Sequence, residues 1–182
     1  MYELPFGAGK RWAADGPASW FAGGWQFNAV MSKTSGLPFT VTSAGTSLNA
    51  PGNTQTADQV KADVAILGGI GRGTPYFDPT AFAPVTAVRY GSVGRNTMRG
   101  PGVFNLDASL FRNFKITERF ALQFRSEVFN LTNTPAFGLP GANASSPTRN
   151  ADGSIINLNG FGEITTAAAT ERQFRFALKL SF

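Results

Sequence analysis

Arg172-Gln173-Phe174-Arg175-Phe176-Ala177-Leu178-Lys179-Leu180-Ser181-Phe182 is the stretch on which the rest of the chain is read. From Gln173 onward it alternates polar and apolar without a break. Phe174, Phe176, Leu178, Leu180 and Phe182 fall on one face of an extended chain, and Gln173, Arg175, Ala177, Lys179 and Ser181 on the other. Successive side chains of a strand point to opposite faces, so a period of two predicts a β-strand between two unlike environments. No polar tail follows Phe182, and an amphipathic strand with a free edge invites aggregation in water. Such a strand suits a ring of strands in a bilayer, with lipid on one side, a lumen on the other, and its edge paired to close the ring. A strand of a soluble β-sandwich is the alternative.

Composition narrows the field. The 182 residues contain no Cys and no His, so there is no disulfide framework, no Cys-based metal site and no Ser-His or Cys-His pair. Catalysis is not expected, and neither is a cofactor. The eleven carboxylates are spread thinly, with no spacing that suggests a metal cage. The net charge is +5, but Lys and Arg are scattered rather than arrayed in a stripe, so nucleic acid is not an expected partner. No apolar run approaches the ~20 residues of a membrane helix, and the longest, 64–70, is far too short. A membrane barrel has this near-neutral hydropathy, because lipid-facing residues alternate with lumenal ones. Residues 1–6 carry neither a basic n-region nor a long apolar h-region. An outer-membrane protein needs a leader, so the chain is expected to be the tail of a longer protein.

Five segments alternate in this way, near 1–6, 20–33, 105–114, 119–129 and 172–182. In the second, Trp25, Phe27, Ala29 and Met31 oppose Gln26, Asn28 and Ser32. In the third, Leu106, Ala108, Leu110 and Phe114 oppose Asn105, Asp107, Ser109 and Asn113. In the fourth, Phe120, Leu122, Phe124 and Val128 oppose Gln123, Arg125 and Glu127. Only a few residues join the third and fourth segments, whereas 35–104 and 130–171 are long and rich in Gly, Pro, Asn, Ser and Thr. Outer-membrane barrels have short periplasmic turns and long extracellular loops. If the last strand ends in the periplasm, both long loops fall outside. Trp12, Trp20, Trp25, Phe6, Phe21, Phe114 and Phe182 then gather at the periplasmic rim, where aromatic rings favour the interface.

Alternation makes Asp107, Arg125 and Glu127 candidate lumenal charges, either a solvated ladder or a contact for a plug or substrate. Equal-parity pairing of the third and fourth segments is required to keep the apolar set on one face, and it is expected to bring Asp107 opposite or diagonal to Arg125. Arg112 and Lys33 share the apolar parity near strand ends and are expected to snorkel toward the interface. Val64–Gly73 looks like a strand feeding a glycine-rich nucleotide loop. Thr74 stands where the third glycine belongs and Pro75 blocks the helix, so the segment reads as a flexible extracellular loop. The sequons at Asn130 and Asn143 carry little information.

Several blocks resemble a known family. Gly24-Trp25-Gln26 with Ser35-Gly36-Leu37-Pro38-Phe39-Thr40 resembles a signature of Oar-like TonB-dependent outer-membrane receptors, a carboxypeptidase-regulatory-like-domain-containing family. Tyr76–Phe82, Gly94–Gly102, Asn105–Phe114, Arg125–Asn133, Phe161–Thr165 and the terminal strand follow in the family's order, seven blocks in all. The resemblance implies an all-β, antiparallel transmembrane barrel segment: about five C-terminal strands of a larger barrel of about 22 strands, with long extracellular loops. It implies energy-dependent uptake of an unidentified ligand by the parent protein. TonB and a plug domain would act only through an N-terminal part that lies outside this sequence. The other expected partners are outer-membrane lipid and the barrel-assembly machinery, because Phe174, Phe176, Leu178, Leu180 and Phe182 resemble the C-terminal signal that this machinery reads. A non-transporting surface or adhesion protein, or a small barrel built from several chains, is the competing reading.

Overall fold

The computed structural model describes residues 2–7, 9–12, 15–49, 53–168 and 171–182. Residue 1 of the first expected strand, and residues 50–52 and 169–170 of the expected loops, lie outside that set. The chain divides into two compact units, one of residues 1–33, 104–135 and 170–182, the other of residues 34–103 and 136–169.

The first unit is an antiparallel sheet of β1 (Tyr2–Glu3), β2 (Trp25–Thr34), β3 (Val103–Lys115), β4 (Ala121–Phe129) and β5 (Gln173–Ser181), in that spatial order. Consecutive strands are neighbours throughout. The register pairs Leu122 with Phe114 on one side and Leu180 on the other, and Phe124 with Arg112 and Leu178. Every such pair has equal parity, as alternation demands, because a slip of one residue would turn a whole apolar set to the opposite face. A tight turn joins β3 to β4, with the amides of Ile116 and Thr117 both donating to the Phe120 carbonyl.

Two details depart from the sequence reading. The first expected strand, 1–6, is short: only Tyr2 and Glu3 pair in the ladder, with Phe27 and Gln26. Leu4 adds one amide bond to Trp25, and then Pro5 has no N–H to continue. The second expected strand begins at Trp25 rather than 20. Residues Gly16–Ala22 form a helix, α1, that carries Trp20 and Phe21. Pro17 lies in its first turn, where its locked φ fits and its missing N–H costs nothing. Gly23 and Gly24 stop it. A Cβ on Gly23 would lie 2.7 Å from the Cα of Gly7, and Gly24 has φ of 73°, so this exit requires glycine.

The second unit holds most of both long connections, and it has a core of its own. Short antiparallel pairs frame it: Pro38–Phe39 with Met98–Arg99, Thr42–Ala44 with Thr54–Thr56, Asp58–Gln59 with Phe82–Ala83, and Thr148–Arg149 with Ile155–Asn157. Phe77 is at its centre, edge-to-face with Phe82 and Phe161 at 5.6 and 5.4 Å and tilted against Phe39 at 6.0 Å. These phenylalanines, with Val41, Ala57, Ala81 and Ala144, are buried. The expected flexible loop 64–73 is built into this framework. Leu67 and Gly68 donate to the Tyr76 carbonyl, Gly71 donates to Ile164, and Asp78 donates to Ala65.

Two carboxylates clamp the surface of this unit. Asp58 accepts a two-pronged bond from Arg89 at 2.7 and 2.8 Å and another from the Ser92 amide at 3.1 Å. The guanidinium holds its carboxyl below the usual aspartate range. Burial opposes ionisation of Asp78, but bonds from Lys61 and Thr80 outweigh it, and its carboxyl is also held low. A carboxyl with a depressed pKa stabilises the fold above its ordinary titration range, and that contribution is lost as pH falls through the depressed value. Hydrogen-exchange protection of the Ser92 and Thr80 amides, corrected for intrinsic rate, is therefore expected to hold from neutral to mildly acidic pH. It should fall only below the ordinary aspartate range, and Asp58→Asn should abolish the step at Ser92.

Candidate functional site: the two faces of the sheet

The faces of the sheet differ chemically along its whole height. One face carries Phe174, Phe176, Leu178 and Leu180 of β5, Leu122, Phe124 and Val128 of β4, and Leu106, Ala108, Leu110 and Phe114 of β3. Trp25, Phe27, Ala29 and Met31 of β2 continue it, and Tyr2 of β1 stands opposite Phe27. Trp25 packs edge-to-face on Phe114 and Phe124 at 6.4 and 5.9 Å, and Phe124 leans on Phe176 at 6.5 Å. Aromatic and aliphatic side chains thus run unbroken from β2 to β5. Phe176 and Leu178 are each 69% exposed. Soluble proteins rarely leave such a surface to water, whereas a bilayer covers it without cost.

The opposite face is polar in rows. Asn28 of β2 donates to the hydroxyl of Ser109 on β3 at 3.5 Å, Ser109 stands opposite Glu127 on β4, and Glu127 stands opposite Arg175 on β5. A second row runs Asn113, Gln123, Lys179, with the Gln123 amide donating to Asn113 at 3.0 Å. Of the three sequence-picked charges, Arg125 and Glu127 meet, at 3.6 Å on one strand. Asp107 does not join them, contrary to expectation. The register sets Arg125 opposite Phe111, whose ring centroid lies 5.8 Å from the guanidinium. Asp107 instead accepts the Asn130 backbone amide at 2.9 Å, where β4 ends. Equal parity fixed the face of Asp107, but the length of the tight turn decided its height. Arg175 and Lys179 were missing from the sequence list, although alternation along β5 places them on the same face.

Arg112 sets a charge on the apolar face, where Ser126 also places a hydroxyl between Leu110 and Phe176. Expected to snorkel toward the interface, Arg112 is instead 7% exposed, with its guanidinium bonded to α1. Its guanidinium donates to the carbonyls of Trp20 and Phe21, the last turn of the helix, while Gly23 caps Ser19. The Trp25 indole also donates to Phe21, at 3.0 Å. The carbonyls at a helix C-terminus lack partners within the helix and carry partial negative charge, so a cation there is favoured. The Phe114 ring lies 4.3 Å from the guanidinium carbon, with Trp20 and Trp25 each at 5.8 Å. An arginine facing hydrocarbon costs about 2–4 kcal/mol at the midplane of a barrel. Carbonyls and π faces here replace water around the charge.

A sheet with one largely apolar face, one polar face and a tight turn joining β3 to β4 at one end is the wall of a transmembrane β-barrel. Over residues 1–175 the chain matches the family described as an outer membrane beta barrel domain, and it belongs to that family. The bacterial outer membrane is therefore its location. No curated protein and no solved structure matches the chain.

The apolar face is expected to be far less tolerant of charge than the polar face. Leu110→Arg, Leu122→Arg or Leu178→Arg should each destabilise the assembled barrel by about 2–4 kcal/mol, and Ser109→Arg or Gln123→Arg by much less. Reversible folding titrations into lipid measure the difference, and equal costs on both faces would refute the assignment of faces.

Proposed function

We propose that this chain is the C-terminal barrel segment of a TonB-dependent, Oar-like transporter, and that the protein carrying it takes up an unidentified ligand with energy delivered from the inner membrane. The open sheet carries this reading. Among the described residues β1 and β5 each have one unpaired edge. Single-chain bacterial barrels begin at about eight strands, so both edges call for further strands in the bilayer. The seven blocks that resemble the Oar-like family support this reading of the larger barrel. In this reading plug and TonB contact belong to the rest of the protein, and Arg125, Glu127 and Arg175 line the lumen that the plug fills. The reading assigns no catalysis and no cofactor.

The compact core of the second unit, around Phe77, also suits a non-transporting surface or adhesion protein, since it presents an ordered body rather than mobile loops. The mass of the mature protein extracted from outer membranes separates the readings. A single large chain that is captured by TonB supports transport. A large chain without TonB capture supports the surface protein, and several short copies per barrel support the multi-chain barrel.

Phe174, Phe176, Leu178, Leu180 and Phe182 form the assembly signal in this proposal. Phe182→Asp in the protein as expressed is expected to reduce assembled material in the outer membrane several-fold with synthesis unchanged. Normal assembly would remove the signal role.

A further inference from the structure

We propose that α1 is an interfacial anchor, stapled to the barrel wall by Arg112 and seated among the headgroups and upper acyl chains of periplasmic-leaflet phospholipid. The proposal rests on the membrane-barrel family and the lipid-facing side of the sheet, not on the transport reading. Three observations carry it.

The first is position. Arg112, which holds the helix, has the same parity as Phe114 and Leu110, so α1 covers the lipid-facing side. It lies at the end of the sheet where the tight turn joins β3 to β4, the periplasmic end of an outer-membrane barrel. The second is what the helix shows outward. Trp20 is 56% exposed and Phe21 67%, although the bond from Arg112 draws their carbonyls inward. Trp12, on the adjoining segment, is 56% exposed with the Arg11 guanidinium over its ring at 5.9 Å. Exposed tryptophan beside a cation is the chemistry of the headgroup layer. The apolar surface of the helix is continuous with the aromatic run from Trp25 to Phe176 already assigned to lipid. The third is dependence. A helix of seven residues is unstable alone. Its C-terminal carbonyls are satisfied from outside the helix, by Arg112, Trp25 and Gly23. Lipid on the outer side then completes a surface that the protein covers only from within.

The sequence contains no Cys, so Phe21→Cys and Lys10→Cys introduce single labelling sites in it. Each is spin-labelled in the intact protein, reconstituted in vesicles of phosphatidylethanolamine and phosphatidylglycerol. Collision rates are read with oxygen, which concentrates in the bilayer, and with a water-soluble nickel chelate. The Phe21 label is expected to exceed the Lys10 label several-fold in oxygen accessibility and fall several-fold below it for nickel. A label at Leu178→Cys supplies the deep reference, and the Phe21 label should read shallower than it. Equal nickel accessibility at Phe21 and Lys10 places the helix in water and overturns the proposal. Low accessibility to both reagents means that protein, not lipid, covers the helix, and also overturns it. If Phe21→Cys does not assemble, Trp12→Cys takes its place with the same outcomes.

Discussion

A backbone amide or carbonyl between the two rims of a bilayer has no water to bond, so each must find its partner on a neighbouring strand. That demand makes the sheet and then shapes everything attached to it. Once pairing is obligatory, side chains can only alternate between lipid and lumen, and from β3 to β5 the register must pair residues of equal parity. The pairs Phe114–Leu122–Leu180 and Arg112–Phe124–Leu178 obey this. The polar rows through Glu127 and Gln123 follow on the other face from the same parity.

Arg112 shows how strictly the rule is enforced. A charge on the lipid-facing parity has to lose its water, and the protein answers by folding a short helix over it. The carbonyls of Trp20 and Phe21 then serve two needs at once, since the helix end lacks donors and the guanidinium lacks acceptors. Trp20, Trp25 and Phe114 enclose the pair. The same residues place three aromatic rings at the rim, so shielding a cation and meeting the interface are two results of one arrangement.

The second unit obeys a different physics. Its connections are irregular rather than strand-paired along their length, and their order comes from packing. The blocks that resemble the Oar-like family supply it. Phe39, Phe77, Phe82 and Phe161, drawn from three of the seven blocks, meet in a single core. Gly36 is needed because a Cβ there would fall 1.7 Å from the Gly100 carbonyl oxygen, a collision no side chain could relieve. Motifs that look like scattered loop signatures are therefore one folded body, and their spacing records which segments touch.

From the sequence alone, period two and composition determined the all-β class, the face each strand residue occupies, and the short and long ends of the hairpins. These are local properties, since alternation depends only on a residue's immediate neighbours along the chain. The helix at 16–22 was also written locally, in Pro17 near its start and Gly23-Gly24 at its stop, but the aromatic residues Trp20 and Phe21 masked it by extending the apparent strand. The height of Asp107 relative to Arg125, the burial of Arg112 and the convergence of Phe77 with Phe161 were decided only by the tertiary structure. Each depends on how far one segment slides past another, or on which distant segments meet. That is a question of long-range packing, to which a repeating pattern of side chains is blind.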